Sequence, residues 1–247
     1  MPRMTSVRPV GVITGTGVTE HFDLRRPTMV RTRYGNASVF LQEGDDCIII
    51  PRHGAAHKYP PHAINYRANI AALEKLGVRE VIATSAVGSM TQEFRVGEIG
   101  LVEQFLDFTK RRQITFFEDS VVHTDMTHPY SRRLNLEIVA AARRAGVDIR
   151  QHLVYVCTEG PRFETAAEIK MYRMLGGDVV GMTEVPEVVL AKELKLDYAA
   201  IAVATNWAAG MQSKLSQEEV LRVMKKTGKT VKQLIGAVVV ALREGKR

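Results

Sequence analysis

Six short segments of the chain combine glycine with hydroxyl, cationic, amide or aromatic residues, and each directly follows an apolar run. They are TGTG (14–17), PRHG (51–54), TSAVGS (84–89), TEGPRFE (158–164), GMTE (181–184) and ATNWAAG (204–210). Short apolar runs bounded by such residues are typical of buried strands. Because ligands of α/β proteins gather where strands end, we expect these segments to meet at one binding site.

The first three segments carry the residues that an anion site needs. Small residues around Thr16 would let its hydroxyl and nearby backbone N–H groups approach an anion closely. Arg52 offers a two-pronged donor suited to phosphate, and His53 offers a second donor. Ser85 adds a hydroxyl in a turn with free backbone donors. Taken singly, each segment also fits a plainer interpretation: a tight turn, a surface arginine beside a satisfied histidine, or a small-residue turn.

Several familiar catalytic patterns are missing from the sequence. The chain has no P-loop lysine, which disfavours an NTPase, and no G-x-S-x-G nucleophile motif. The spacing of His53, His57 and His62 fits neither H-E-x-x-H nor a zinc ribbon, so no metal is predicted. With no evident protein nucleophile and an expected phosphate site, phosphate itself becomes the candidate nucleophile.

Strand-like and helical segments alternate along the chain. Strands are predicted at 10–17, 37–44, 46–54, 79–89, 97–108, 151–160, 178–183 and 197–210, with 37–44 and 46–54 as a pair. Helices are predicted at 62–77, 131–146, 164–177, 185–196 and 216–245. This alternation predicts the α/β class: a mixed, mostly parallel sheet flanked by helices. Without a repeat, linker or break in composition, one domain over residues 1–247 is expected.

Composition indicates an ordinary globular protein. The 247 residues are 45% hydrophobic and 25% charged, and this length can bury a sizeable core. Cys47 and Cys157 lie in apolar runs, and no export signal or membrane span is evident, so we expect free thiols and a cytoplasmic location. The net charge of +7 raises nucleic acid as a partner, but the cationic residues are scattered. We therefore expect no nucleic-acid or membrane partner, and a phosphate-bearing substrate suits this charge.

The motifs taken in order resemble the trimeric purine nucleoside phosphorylases. They are GVITGTG, PRHGAAH, NYRANIAAL, TSAVGS, TEGPRFETAAE, VVGMTEVPEVVLAKEL and AIAVATN, which together extend over nearly the whole chain. The most similar branch contains methylthioadenosine phosphorylase and methylthioinosine phosphorylase. The resemblance implies the nucleoside phosphorylase fold and reversible phosphorolysis of an N-glycosidic bond, which yields a free purine and a (deoxy)ribose 1-phosphate.

The resemblance also implies roles for individual residues. It assigns the phosphate site to Thr16, Arg52, His53, Ser85, Ala86 (through its backbone) and Thr183. It assigns substrate contacts to Phe163, Glu164, Met182, Asn206, Ala208 and Val220, with catalytic roles for Asn206, His53 and Thr183. His123 resembles a histidine that a neighbouring subunit projects toward the 5′ end of the substrate. The resemblance thus implies a homotrimer, with a hexamer left open, and no cofactor besides phosphate as co-substrate.

Three positions discriminate between purines in this family. The 6-aminopurine enzymes carry an aspartate at the position of Asn206, another acid at that of Ala208, and a small hydroxyl residue at that of Glu164. An ionised Glu164 can accept the N1–H of a 6-oxopurine, and Asn206 can donate and accept at O6 and N7. An acid at a helix start is common for the helix dipole alone. Together with Asn206, however, Glu164 predicts a 6-oxopurine nucleoside: inosine, guanosine or 5′-methylthioinosine.

Other readings of the sequence stay open. Residues 209–221 should line the 5′ end, where Gln217 stands near a valine of methylthioadenosine phosphorylases and Val220 is apolar. A free 5′-hydroxyl and a 5′-methylthio group are therefore both compatible. An S-methyl-5′-thioadenosine phosphorylase with an atypical base pocket is one alternative. A non-catalytic nucleoside- or phosphate-binding protein is another, although the joint presence of Arg52, His53 and Thr183 argues against it.

Overall fold

The computed structural model describes residues 8–42 and 47–244. These residues form nine strands: β1 Val10–Thr14, β2 Pro27–Thr32, β3 Gly35–Leu41, β4 Cys47–Pro51, β5 Glu80–Ser89, β6 Ile99–Phe108, β7 Arg150–Thr158, β8 Val179–Gly181 and β9 Asp197–Trp207. They also form five α-helices: α1 Tyr66–Lys75, α2 Arg132–Arg144, α3 Ala166–Met174, α4 Glu184–Glu193 and α5 Gln217–Glu244. Short 3₁₀ turns occur at Thr19–His21 and Pro61–Ala63.

The strands form one mixed sheet in the order β2-β3-β4-β1-β5-β8-β7-β6-β9. Because β5 also pairs with β9, the strands β5, β8, β7, β6 and β9 close into a ring. The pairs β1–β4, β1–β5, β5–β9, β6–β7 and β7–β8 are parallel. The pairs β2–β3, β3–β4, β5–β8 and β6–β9 are antiparallel. The predicted α/β class with a mixed, mostly parallel sheet is confirmed, since five of these nine strand pairs are parallel.

Local sequence signals account for the helix starts. The Asn65 side chain accepts the Ala68 N–H at the start of α1. Ser131 caps α2 in the same way, and Thr165 and Glu168 form a reciprocal capping box on α3. The helices cover both faces of the sheet, so nearly every residue of the central strands β5 and β9 is buried.

Most predicted elements are present, and one strand was not foreseen. The expected pair over 37–54 is the antiparallel pair β3–β4, and all five predicted helices occur with ends shifted by a few residues. Strand β2 was missed because it begins with Pro27 and exposes most of its residues at the sheet edge, so it lacks an apolar signal. Among the described residues, no helix is long and apolar enough to cross a membrane.

The sheet brings the glycine- and hydroxyl-rich segments together at the ends of its strands. In the parallel pair β1–β4, Thr14 lies opposite Pro51, so the segments that follow these two strands are neighbours. Gly88 of β5 pairs with Asn206 of β9. The end of β8 pairs with the end of β7 in the same way. The topology therefore produces the convergence that the sequence predicts.

Candidate active site

A cavity of about 410 Å³ opens at these strand ends. Its size is in the range of sites for small molecules. Among the predicted site residues, those lining the cavity are Thr16, Arg52, His53, Ser85, Ala86, Phe163, Glu164, Met182, Thr183, Asn206, Ala208 and Val220. His123 lies outside it, exposed in the segment between β6 and α2.

The part of the cavity that the sequence predicts to bind phosphate, called the phosphate end, carries the hydroxyls of Thr16, Ser85 and Thr183. Within the described ranges, none of these three hydroxyls has a regular hydrogen-bond partner. Ser85 and Thr183 are nevertheless only 3% and 8% exposed. Since buried polar groups are almost always hydrogen-bonded, these hydroxyls are available to a ligand. Three donors facing one space suit an oxyanion.

A buried ion pair lies behind the hydroxyls. Arg52 donates through Nε and Nη2 to the two carboxylate oxygens of Glu187, at 2.7 Å each, and through Nη1 to the Thr84 carbonyl. Tyr198 donates its hydroxyl to the same carboxylate at 2.7 Å. The sequence predicts that the two-pronged face of Arg52 meets phosphate. The structure turns that face to Glu187, because a fully buried carboxylate needs a charged partner.

The close approach of the first loop to this pair requires glycine. A Cβ on Gly15 would lie 2.7 Å from the Thr84 carbonyl oxygen and 3.0 Å from Arg52 Nη1. The Gly15 N–H instead donates to the Thr84 hydroxyl at 2.9 Å. The loop that carries Thr16 is thereby held against the guanidinium.

His53 has a defined protonation state. Its Nδ1 lies 2.8 Å from the Tyr59 carbonyl oxygen, and since a carbonyl only accepts, Nδ1 carries the hydrogen. Burial lowers the pKa of His53 to about 4, and the neighbouring Arg52 cation acts in the same direction. The ring is therefore neutral at neutral pH, with a bare Nε2. His53 was expected as a donor, but this geometry makes Nε2 an acceptor, which suits the hydrogen of HPO₄²⁻.

The other part of the cavity, called the base end, contains Glu164 and Asn206. Thr158 donates its hydroxyl to Glu164 Oε1 at 2.7 Å, which leaves Oε2 for a ligand. Burial raises the pKa of Glu164 above its usual value, and the Thr158 hydrogen bond opposes this rise.

The amide of Asn206 is oriented by its neighbours. Its Oδ1 accepts from the Thr205 hydroxyl at 2.9 Å, and its Nδ2 donates to the Trp207 carbonyl at 2.9 Å. One N–H hydrogen and one lone pair of Oδ1 therefore remain for a ligand. A Cβ at Gly88 would approach Nδ2 to 3.2 Å, so glycine leaves room for this amide.

The walls between the two ends are largely apolar. Phe163 is 40% exposed and borders the mouth, whereas Met182 is half-buried and Ala208 is buried. Leu215, just before α5, and Val220, in the first turn of α5, add apolar surface. Gln217 also lines the cavity there, and so this region offers both an apolar and a polar group.

The residues that lie directly behind the site were not predicted from the sequence. Glu184 and Glu187 are fully buried, and Thr158 and Thr205 orient the groups at the base end. The two glutamates could have been predicted to be buried and paired, because carboxylates within an apolar run such as VVGMTEVPEVVLA require partners. The partner Arg52 could not be identified, because it lies 135 residues away in sequence. Within the described ranges, no group of three or more His, Cys, Asp and Glu side chains could hold a metal.

Residues 9–240 match a family model described as the phosphorylase superfamily. A probable 6-oxopurine nucleoside phosphorylase of Moorella thermoacetica is 51% identical, over 92% of this chain and 90% of the relative. A probable S-methyl-5′-thioinosine phosphorylase of Methanothermobacter thermautotrophicus is 44% identical, over 93% and 83%. A mutant of adenosine/methylthioadenosine phosphorylase from Schistosoma mansoni, in complex with methylthioadenosine, superposes with a TM-score of 0.87 at 30% identity, covering 95% of this chain and 91% of that one.

Proposed function

The chain belongs to the phosphorylase superfamily, and we propose that it is a purine nucleoside phosphorylase specific for 6-oxopurine nucleosides. Its reaction would be phosphorolysis of inosine, guanosine or 5′-methylthioinosine to the free base and the corresponding ribose 1-phosphate. The observation that carries this proposal is the pairing of buried Glu164 with Asn206 in one cavity. The names of the two curated relatives support the same substrate class.

The polar groups at the base end match a 6-oxopurine. The N1–H of hypoxanthine or guanine is a donor for Glu164 Oε2, whereas adenine presents a lone pair at N1 that a carboxylate repels. The remaining N–H of Asn206 can donate to O6 or N7, and its Oδ1 can accept from a protonated N7. Because a wrong base leaves buried polar groups unpaired, such a pocket can discriminate by about 10⁴-fold.

The chemistry follows from the charges that develop in the reaction. As the C1′–N9 bond lengthens, the ribosyl group becomes positive and the purine becomes negative. A phosphate oxygen then bonds to C1′ as the C1′–N9 bond breaks, and the electrons of that bond leave with the purine. The purine takes up one proton from solvent, and the phosphate group loses one, so that ribose 1-phosphate forms as a dianion. We assign phosphate binding to Thr16, Ser85, Thr183 and the backbone of Ala86, with His53 Nε2 accepting the phosphate hydrogen. Positioning and electrostatic stabilisation supply the catalysis, so no cofactor is needed.

We also propose that the protein is a cytoplasmic homotrimer, with His123 contributed to the site of a neighbouring subunit. His123 is exposed and lies outside its own cavity. Beside it, Val121 is 86% exposed and Val122 is 48% exposed. Adjacent exposed apolar side chains are typical of surfaces that another chain covers. Trimer formation, and any pairing of trimers into hexamers, can be measured by analytical ultracentrifugation.

A substrate panel tests the proposed function: inosine, guanosine, adenosine, methylthioadenosine and methylthioinosine, each with and without phosphate. We expect base release that requires phosphate and strongly favours hypoxanthine and guanine over adenine. Preferential cleavage of methylthioadenosine, the ligand of the Schistosoma structure, would support the methylthioadenosine phosphorylase alternative. Nucleoside binding without any turnover would instead indicate a non-catalytic binding protein. The ratio of inosine to methylthioinosine turnover determines the 5′ preference.

A further inference from the structure

A buried carboxyl group lies directly behind the phosphate end. Glu184, at the start of α4, is fully buried, and its Oε2 accepts the hydroxyl of Tyr130. Its Oε1 has no regular hydrogen-bond partner among the described residues, and neither does Ser85 Oγ. Ser85 is nevertheless close enough to act on the Glu184 carboxyl as a hydrogen-bonding neighbour. Two neighbouring buried oxygens thus lack a well-formed hydrogen bond, and one of them belongs to a residue that lines the cavity.

We propose that Glu184 is a positioning residue whose proton determines the direction of the Ser85 hydroxyl. When Glu184 is protonated, its O–H donates to Ser85 Oγ, and Ser85 donates its own hydrogen to the bound anion. When Glu184 is ionised, it accepts a hydrogen bond from the Ser85 hydroxyl, and only lone pairs of Ser85 Oγ face the anion. The inference deepens the proposed function, since it rests on Ser85 lining a phosphate site.

The titration of Glu184 falls near neutral pH. Burial raises the pKa of Glu184 to about 7, while hydrogen bonds from Tyr130 and Ser85 and the charge of Arg52 oppose the rise. The negative charge of Glu187, on the same helix, also raises the pKa of Glu184, but the ion pair with Arg52 compensates this charge. The protonated, donor form of Glu184 is therefore present below about pH 7 and is lost above it.

The other titratable groups around Glu184 stay in one state over this range. Burial raises the pKa values of Tyr130, of Tyr155 on β7 and of Tyr198 on β9 well above the usual tyrosine value. Burial raises the pKa of Cys157 to about 12, and it lowers that of His53 to about 4. Among these neighbours none changes charge near neutral pH. Burial also lowers the pKa of His57, which lines the same cavity, below the usual histidine value, and His57 is unchanged in the variants used below.

Sulfate is the probe that isolates this effect. Phosphate changes its own charge near neutral pH, whereas sulfate stays a dianion, so the pH dependence of sulfate binding reports protein groups alone. The measurement is isothermal titration calorimetry of sulfate with the full chain, from about pH 5.5 to about pH 9. For the wild type we expect the affinity for sulfate to fall about tenfold as pH rises. This is the contribution expected from one hydrogen bond to a charged group.

Two variants separate the hydrogen-bond relay from simple charge repulsion. In Glu184→Gln the amide can donate to Ser85 and accept from Tyr130 at every pH, so sulfate affinity should stay at the wild-type acidic value throughout. In Ser85→Ala the affinity should be lower and no longer vary with pH, although Glu184 still titrates.

Each result has a defined meaning. A pH-independent wild type, or a Glu184→Gln variant with the wild-type profile, overturns the role of Glu184. If the sulfate affinity of Ser85→Ala still falls as pH rises, the hydrogen-bond relay is also overturned, because the charge of Glu184 would then act on the anion without Ser85. Failure of sulfate and phosphate to bind the wild type at any pH would instead contradict the proposed phosphorylase function. The two failures are therefore distinguishable.

Discussion

The two ends of the cavity are built in opposite ways. At the phosphate end, hydroxyls that have no well-formed hydrogen bond among the described residues face the cavity, and the guanidinium of Arg52 turns away from them to the buried Glu187. At the base end, Glu164 and Asn206 themselves face the cavity, and each is held by hydrogen bonds from its neighbours.

Because of this difference, we expect the phosphate end to contribute to the stability of the fold and the base end to determine substrate specificity. A buried charge pair behind the phosphate end holds β4 and α4 together, so its loss should damage the fold. Side chains at the base end keep one or two free hydrogen-bonding positions each, so their replacement should change which purine is accepted and leave the fold intact. The following substitutions test this contrast, from the largest expected effect to the smallest.

The largest effect is expected from Glu187→Ala, which leaves the Arg52 cation buried without its partner. The free energy of unfolding should fall by about 3–5 kcal/mol, measured by chemical denaturation. The matched control is Glu93→Ala, because Glu93 forms an ion pair with Arg150 in which both side chains are largely exposed. The control should change stability by less than about 1 kcal/mol. Equal losses in the two variants would contradict a structural role for the buried pair.

Glu164→Gln should have its effect on catalysis. The amide keeps the volume of the side chain but removes the carboxylate that accepts N1–H, so kcat/KM for inosine should fall roughly 10- to 100-fold. The melting temperature should stay close to that of the wild type. A large loss of melting temperature with intact kinetics would show instead that Glu164 is only an acid at a helix start.

Asn206→Asp should shift the preference between purines. The substitution removes the amide N–H that suits O6 and supplies an acceptor for a 6-amino group. The ratio of inosine to adenosine turnover should fall by roughly tenfold or more, measured as the ratio of the two kcat/KM values. Unchanged inosine kinetics would refute the role assigned to Asn206.

The smallest effect is expected from Thr158→Val. Glu164 must be ionised to accept N1–H, and its pKa is raised by burial, so kcat/KM for inosine should fall as pH drops, at a higher pH than for an ordinary glutamate. The Thr158 hydroxyl stabilises the charged form, so its removal should raise this acidic midpoint further, by about one pH unit. A midpoint that stays in place or moves downward would contradict this coupling.

The base end was largely predictable from the sequence, and the layer behind the phosphate end was not. Glu164 follows β7 and Asn206 lies near the end of β9, and a sheet with parallel neighbours brings strand ends together, so their meeting in one cavity was predictable. Their roles in base recognition are what the family resemblance implies. The pairing of Arg52 with Glu187 depends on tertiary packing across 135 residues, which no local pattern encodes. The hydrogen on His53 Nδ1 likewise depends on the Tyr59 carbonyl, which becomes its partner only once the chain has folded.

Recognition of N1–H by Glu164 is the central claim, and comparison of inosine with N1-methylinosine tests it most directly. The two nucleosides share the 6-oxo group, N7 and the ribose, but the methyl group replaces the hydrogen that Glu164 should accept. We predict phosphate-dependent release of hypoxanthine from inosine and little or no turnover of N1-methylinosine. Equal kcat/KM values for the two substrates would contradict the account.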